Sequence, residues 1–388
     1  MTMQKFRADA VFDGYQLLDG NRVLITNEPG EILDLVHPDE AGDGIQDVSG
    51  MLCPGFVNCH CHLELSHLKG AIPEKTGLPG FLKQVMQLRN EPEAKQLLAI
   101  EEAETAMLTN GIVAVGDICN TSITLPQKQQ GRIWYHNFIE TMGWLPGIAS
   151  TRFQQAASVF YQFAAQYAVP VESNSIVPHA PYSVSEELWQ KIIHFPGNRL
   201  LSLHSQEDEA ENHFFLSGNG DFISFYNDLK IDSSHFFPPG KSSLQACLPY
   251  LQNNQSLILV HNVVTSEEDI LFAKQIKNRV ALYWCLCPNA NVYISGKLPP
   301  AELLTAAGCD IVLGTDSLAS NHELSILSEV QTLKNAYPHI APASLLQWAT
   351  SNGAKALQLD GILGSFEKGK KPGVLLLAND LSAVRRLV

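Results

Sequence analysis

The chain has 388 residues, of which 45% are hydrophobic and 17% charged, with a formal net charge of −14 at pH 7. This composition suits a well-buried globular protein and excludes a disordered chain, and the acidic balance excludes the basic surface that nucleic-acid phosphates require. The opening Met1-Thr2-Met3-Gln4-Lys5-Phe6-Arg7 has no apolar signal-peptide core and no run of 18 apolar residues follows, so a cytoplasmic protein without a membrane partner is expected.

Residues 1–53 read as short strands at 10–14, 23–26 and 31–36, separated by Gly, Asn and Asp. The tail adds one more expected strand at 373–378, after the turn Lys368-Gly369-Lys370-Lys371. Residues 1–53 and 366–388 are therefore predicted to form a small β-domain built from both chain ends. Next comes Pro54-Gly55-Phe56-Val57-Asn58-Cys59-His60-Cys61-His62, an apolar run closing on two histidines at i and i+2. On a strand these two point the same way and Cys61 points away. With 13 His in the chain, chance alone gives roughly 0.4 such pairs, so the pair needs company.

The rest of the chain supplies it. A helix is predicted over 79–110, further strands at 112–117, 132–139, 174–178, 200–204, 257–261, 280–286 and 311–316, and a final helix over 341–358. Three of these strands end on ligand-type residues: His204, His261 and Asp316. Eight strands alternating with helices over 54–365 predict an α/β fold, a (β/α)8 TIM-type barrel, whose functional residues sit at the carboxyl ends of strands. A doubly wound open sheet is less consistent, since no strand is followed by Gly-x-Gly-x-x-Gly and no Walker loop occurs. The connection 208–256, with Phe214, Phe215, Phe222, Phe225 and Tyr226, is read as a partly helical lid insertion, or else as a surface insertion with packed aromatics.

His60, His62, His204 and Asp316 are the expected metal ligands. Three imidazoles and one carboxylate suit one divalent ion, Zn2+ first and Fe2+ second, with a position left for water. The fourth strand ends in Ser175-Ile176-Val177-Pro178-His179, without the lysine that a carbamate bridge between two metals needs, so one metal is expected. Glu207, three residues past His204, is the expected general acid, its carboxyl raised by the partly desolvated mouth. Its bland alternative is a solvated member of the cluster Glu207-Asp208-Glu209-Glu211. His261 is either a fourth ligand or a hydrogen-bond partner of the attacking water, the second being preferred. No C-x-x-C pair exists among the eight cysteines, which are expected as reduced core thiols.

The Pro-Gly-Phe-Val-Asn-x-His-x-His start, His204, His261 and Gly314-Thr315-Asp316-Ser317 resemble the amidohydrolase superfamily, in particular its mononuclear aminohydrolase branch. Pro178-His179-Ala180-Pro181-Tyr182-Ser183 and Cys287-Pro288-Asn289-Ala290-Asn291 look like that branch's signatures. Within it, His62-Leu63-Glu64-Leu65-Ser66 and Ser205-Gln206-Glu207-Asp208-Glu209, followed by Gly220-Asp221-Phe222, are most similar to aminodeoxyfutalosine deaminases of menaquinone biosynthesis. The resemblance implies a small-molecule substrate, an adenine-type nucleoside, whose amino group water replaces with release of ammonia. Glu207 would protonate the neighbouring ring nitrogen, while His261 and Asp316 take the water's proton. It further implies substrate contacts from His179, Glu64, Arg152 and Ser317 and allows a homodimer; either Arg89 or Arg152 would meet a substrate carboxylate, or both are ordinary surface residues. Competing readings are another aminohydrolase of the branch (guanine, S-adenosylhomocysteine, methylthioadenosine or a triazine), a cyclic amide hydrolase, and a non-catalytic metal-binding barrel. The His-x-Glu and Pro-Cys-x-x-Cys pattern of the cytidine-type zinc deaminases does not occur in usable form.

Overall fold

The computed structural model describes residues 3–166, 173–276 and 280–388. The first seven strands are β1 (Met3–Arg7), β2 (Ala10–Phe12), β3 (Leu17–Asp19), β4 (Val23–Asn27), β5 (Ile32–Val36), β6 (Ile45–Asp47) and β7 (Met51–Pro54). Eight more follow: β8 (Phe56–Cys61), β9 (Ile112–Cys119), β10 (Trp134–Thr141), β11 (Asn174–Pro178), β12 (Leu200–Ser205), β13 (Ser256–His261), β14 (Ala281–Leu286) and β15 (Ile311–Leu313). The tail carries β16 (Val374–Leu377) and β17 (Val384–Arg386).

β8 to β11 and β12 to β15 form two parallel four-stranded runs, each in chain order. Backbone hydrogen bonds join the runs on both sides. His204 N donates to His179 O at 3.0 Å, and Thr315 N and Asp316 N donate to His60 O at 3.0 and 3.1 Å. A parallel sheet that closes on itself, with helices in the connections, is the (β/α)8 barrel expected from the alternation of apolar runs. The barrel strands are buried along nearly their whole length, as strands covered on both faces are.

The chain ends pair as two further sheets, ordered β5-β4-β1-β6 and β17-β16-β7-β2-β3, with β16 antiparallel to β7. Phe6, Val11, Leu24, Ile32, Leu52 and Val374 pack in one apolar cluster there. The tail contains two strands where one was expected, because the chain reverses at Asp380, whose Oδ1 accepts from Ser382 N at 2.9 Å.

Three predicted elements divide. The helix expected over 79–110 is two, Gly77–Leu88 and Glu93–Thr109. Pro92 separates them, lacking an N–H and disfavouring the helical conformation of Glu91. The helix expected over 341–358 breaks at Thr350 (φ −130°, ψ −91°) into Pro342–Ala349 and Ser351–Ala356. The segment expected as a lid over 208–256 also has two fates. Helices Glu209–Ser217 and Asp221–Asp228 bury Phe214, Phe215, Phe222 and Tyr226 against Leu78, Phe81, Trp144 and Tyr182 at the barrel mouth. Further on, Leu244, Cys247 and Leu248 belong to the main barrel core. At about 1.5–3 kcal/mol for each fully buried large apolar side chain, the aromatic half of the segment is firmly seated. All eight cysteines are free. Among the described residues no helix is long and apolar enough to cross a membrane.

Candidate active site

Strand ends deliver four ligand-type side chains to one point. His60 and His62 leave β8 on one face, His204 closes β12, and Asp316 follows β15. One ligand atom of each lies within 4.8 Å of the others. His62 Nε2 and His204 Nε2 are 3.2 Å apart, and Asp316 Oδ1 is 3.5 Å from His60 Nε2 and 3.4 Å from His62 Nε2. Both ring nitrogens of His60 are buried without a hydrogen-bond partner among the described residues. Buried polar atoms are rarely left so, and facing imidazole nitrogens around a carboxylate are what a shared cation satisfies. Burial pushes His60 and His62 well below the ordinary histidine range, which leaves them in the neutral form that binds a metal.

The surrounding chain fixes each ligand. His204 Nδ1 faces the carbonyl of His179 at 2.8 Å. A carbonyl only accepts, so Nδ1 carries the proton and Nε2 turns its lone pair to the cluster. The Asp316 carboxylate accepts from the Ser320 hydroxyl through Oδ2. Burial raises that carboxyl, but the His62 and His261 imidazoles and the Ser320 hydroxyl outweigh it, and it stays below its ordinary value. Gly314 is required here, since a Cβ would stand 2.8 Å from the Cβ of His60 and 2.9 Å from Cys285 Sγ. Gln206, His261, Asn262 and Asp316 all have positive φ (51°, 78°, 59° and 56°). Non-glycine residues in that region carry backbone strain, which concentrates at functional sites.

Glu207 and His261 face each other beside the cluster, with Glu207 Oε1 3.6 Å from His261 Nε2. The Asn291 amide donates to His261 Nδ1 at 3.0 Å, so His261 directs an N–H towards Glu207. Burial, then Asp316, Glu211 and Asp208, push the Glu207 carboxyl well above the carboxylate range. Glu207 is therefore buried with its protonated form favoured, and is not a solvated member of an acidic run. Its neighbours divide: Glu209 is exposed and paired with Lys297 at 2.7 Å, while Glu211 is fully buried. Glu211 accepts from Gln206 N at 3.0 Å and Glu207 N at 3.3 Å, pinning the loop that carries Glu207, and burial pushes its own carboxyl up to about 7. Sequence reasoning overlooked this role, although Asp208-x-x-Glu211 has the spacing of a helix-capping box. Asp208 does cap the helix, its side chain accepting from Ala210 N at 2.9 Å.

Above the cluster lies a cavity of about 380 Å³, with apolar walls from Leu78, Phe81, Leu82 and Val85 on one side and Phe225 and Tyr226 on the other. Ser317 and His179 line it, and burial pushes His179 down to about 4, so its ring is neutral. Glu140 also lines it, a residue missed because β10 runs to Thr141, beyond the expected 139. Glu140 Oε1 lies 3.5 Å from His204 Nδ1, and Oε2 accepts from Asn120 Nδ2 at 3.0 Å. Arg152 is at the exposed rim. Glu64 is not part of this cavity's lining. Its Oε1 holds Arg89 Nη2 at 3.3 Å, and its Oε2 accepts from Asn120 N and Thr121 N at 3.1 and 3.2 Å. These bonds occupy both its oxygens, so Glu64 orients Arg89 instead of facing the mouth.

A neutral imidazole set for a cation, a neutral carboxylic acid and a positioned imidazole in one apolar cavity can activate water and protonate a leaving or ring nitrogen. Known proteins agree with that chemistry. The amidohydrolase family pattern matches residues 51–384. The chain is 28% identical over 331 residues to the adenosine deaminase of Helicobacter pylori, covering 83% of this chain and 78% of that protein. It is 24% identical over 345 residues to the 5-methylthioadenosine/S-adenosylhomocysteine deaminase of Teredinibacter turnerae, covering 85% and 72%. Its fold is that of the Helicobacter pylori aminofutalosine deaminase solved with methylthio-coformycin, at TM-score 0.82 and 23% identity over 97% of this chain and 92% of that one. The chain belongs to the amidohydrolase family, as a hydrolytic deaminase.

Proposed function

We propose that this enzyme deaminates an adenine-type nucleoside, with aminodeoxyfutalosine as substrate and futalosine and ammonia as products, a step of menaquinone biosynthesis. The observation that carries the reading is the buried, proton-bearing Glu207 beside His261 and Asp316 at the floor of a cavity wide enough for a nucleoside. The similarity to nucleoside deaminases supports the same reaction.

His60, His62, His204 and Asp316 would hold one divalent ion, and we assign Zn2+ to this donor set. When bound, that ion supplies Lewis-acid activation of a water molecule. Glu207 gives its proton to the ring nitrogen beside the amino-bearing carbon, which makes that carbon electrophilic. Asp316 and His261 orient the attacking water towards the carbon, and Asp316 accepts its proton. A new C–O bond forms, the C–N bond to the exocyclic amine breaks, and the proton returned through Glu207 lets nitrogen leave as ammonia. Leu78, Phe81 and Phe225 exclude bulk water from these transfers. His179 and Ser317 present polar groups to the base, and Arg152 lies where a substrate's outer end emerges.

Ammonia release by the zinc-loaded enzyme should be measured on aminodeoxyfutalosine, adenosine, S-adenosylhomocysteine, methylthioadenosine, guanine and a hydantoin. Turnover of aminodeoxyfutalosine above the others is expected, and Glu207→Gln should lower it about 100- to 10,000-fold while retaining the metal. Preference for guanine or methylthioadenosine would remove the substrate assignment and keep the reaction. Silence on every amine, with metal bound, would overturn the reading.

A further inference from the structure

Asp316 and His261 have backbones that need support from outside their own strands. They sit at φ 56° and 78°, and non-glycine residues hold such angles only where the surroundings over-determine them. The supports come from two different connections. The amide of Asn291, in the helix Pro288–Ser295, donates to His261 Nδ1 at 3.0 Å. The amide of Asn321, in the connection after β15, donates to the carbonyl of Thr315 at 2.9 Å, one peptide before Asp316.

Both supports run back to one carboxyl. Glu329 lies near the start of the helix Ile326–Ala336, is fully buried, and is not part of the cavity's lining. Its Oε1 accepts from Asn321 Nδ2 at 2.9 Å, so the two hydrogens of that amide serve Thr315 O and Glu329. Its Oε2 accepts from Asn289 N at 2.9 Å. Asn289 N is one of the first donors of the helix that carries Asn291, where Pro288 has no N–H and the Cys287 side chain makes no capping bond. Glu329 supplies from a distant element the cap that the helix lacks locally. The residues around it grip the same asparagine: Asn289 Nδ2 donates to Ser328 Oγ at 3.1 Å, and Asn289 Oδ1 accepts from Thr332 Oγ1 at 2.5 Å. Asn291 is two residues further along the same helix, so fixing Asn289 fixes the amide that meets His261.

We propose that Glu329 is a positioning residue for this reaction, holding Asn289 and Asn321 so that His261 and Asp316 stand where the attacking water needs them. This rests on the deaminase reading above and adds to it a residue outside the cavity. A purely architectural role for the same bonds predicts lost stability with the chemistry of the folded protein unchanged. Positioning predicts more, because a misplacement of about 1 Å at a reacting group costs about 100-fold in rate. Without the carboxyl, Asn289 N and Asn321 Nδ2 lose their acceptor together. The start of one helix and the peptide before Asp316 are then free to move, and each carries a group that faces the water.

KM and kcat should be measured on the best amine of the panel above for the zinc-loaded wild type, Glu329→Ala, Glu329→Gln, Asn291→Ala and the double variant Glu329→Ala with Asn291→Ala. Metal content is checked by elemental analysis, and the visible absorption of the Co2+-substituted proteins reads ligand geometry without turnover. Glu329→Ala should lower kcat about 10- to 100-fold, with full metal occupancy, KM within about twofold of wild type, and a shifted cobalt band. Glu329→Gln keeps one of the two accepting oxygens and should recover part of kcat; it carries the test if the alanine variant does not fold. The double variant should lose less than the product of the two single losses, since both act through the same helix. Losses that multiply, a Glu329→Gln protein equal to wild type, or a cobalt band that does not move would each overturn the assignment and leave the deaminase reading intact. A wild type that releases no ammonia from any amine would remove that reading instead, and the cobalt band would still decide whether Glu329 sets the geometry at Asp316.

Discussion

Two buried polar regions lie within this barrel, and they are finished differently. Around Asp117 and Lys128 everything is paired. Lys128 Nζ donates to Asp117 Oδ2 at 2.5 Å, Asn137 Oδ1 at 2.7 Å and Cys119 Sγ at 3.2 Å, and Asp117 Oδ1 accepts from Leu63 N at 2.8 Å. Burial opposes the ammonium, but Asp117 and Cys119 outweigh it and raise its pKa, so Lys128 stays charged. At the mouth, His60 has two orphaned nitrogens, and His62 and His204 turn bare nitrogens on each other. A closed network holds architecture, whereas an open one marks where something from outside belongs. The two regions also touch: Asp117 holds the backbone of Leu63, the residue after His62.

Removing the missing partner should have the largest effect of any change. Stripping the metal with a chelator should take ammonia release to background and lower the melting temperature, while far-ultraviolet circular dichroism keeps the barrel's signal. If activity survived a preparation whose metal content, measured by elemental analysis, is zero, the contrast between the regions would have no functional meaning.

The paired region should break differently. Lys128→Met leaves Asp117 charged and buried without its partner, a loss of about 3–5 kcal/mol in denaturant unfolding. Lys128→Met with Asp117→Asn should recover much of it, because the amide oxygen still accepts from Leu63. A single variant as stable as wild type would show that the pair is not what supports the strand end.

Glu329 sharpens the comparison, being satisfied in hydrogen bonds yet lacking a countercharge among the described residues. It accepts from Asn289 N and Asn321 Nδ2, both at 2.9 Å, and burial raises its carboxyl to about 8. The folded state keeps the proton, so the stability it contributes is full below about pH 4.5 and is lost as pH rises towards 8. Melting temperatures from pH 5 to 8 should fall more steeply for wild type than for Glu329→Gln. Parallel curves would place that proton elsewhere. The smallest effect is expected at Glu209→Gln, whose exposed pair with Lys297 is worth about 0.5 kcal/mol or less. A large loss there, by unfolding or by ammonia release, would mean that the acidic run acts as a unit and not as separate buried and exposed carboxyls.

The meeting of His60, His62, His204 and Asp316 was legible because its signal is local. A histidine or aspartate closing an apolar run declares both its chemistry and its place at a strand end, and His60, His62, His204 and Asp316 each do so. Glu207 could be proposed for the same reason, three residues past a ligand. Glu140 and Glu64 could not be placed this way. One depended on two more residues of strand in β10, and the other on the 120–121 turn arriving from a different connection. Pro92 was a visible breaker that the long run of Leu, Gln, Glu and Lys around it obscured.

The order and spacing of apolar runs alone determined the class of fold, the strand ends that matter and the residue types gathered there, because strand periodicity and metal-ligand chemistry are properties of short segments. Closing the barrel decided the rest. It brought His179 O to His204, aimed Asn291 at His261, buried Glu211 while leaving Glu209 in water, and turned Glu64 from the cavity to Arg89. Apart from the local bonds of Glu211, those outcomes rest on contacts between separate elements of the chain, and on the burial and charge that such contacts create.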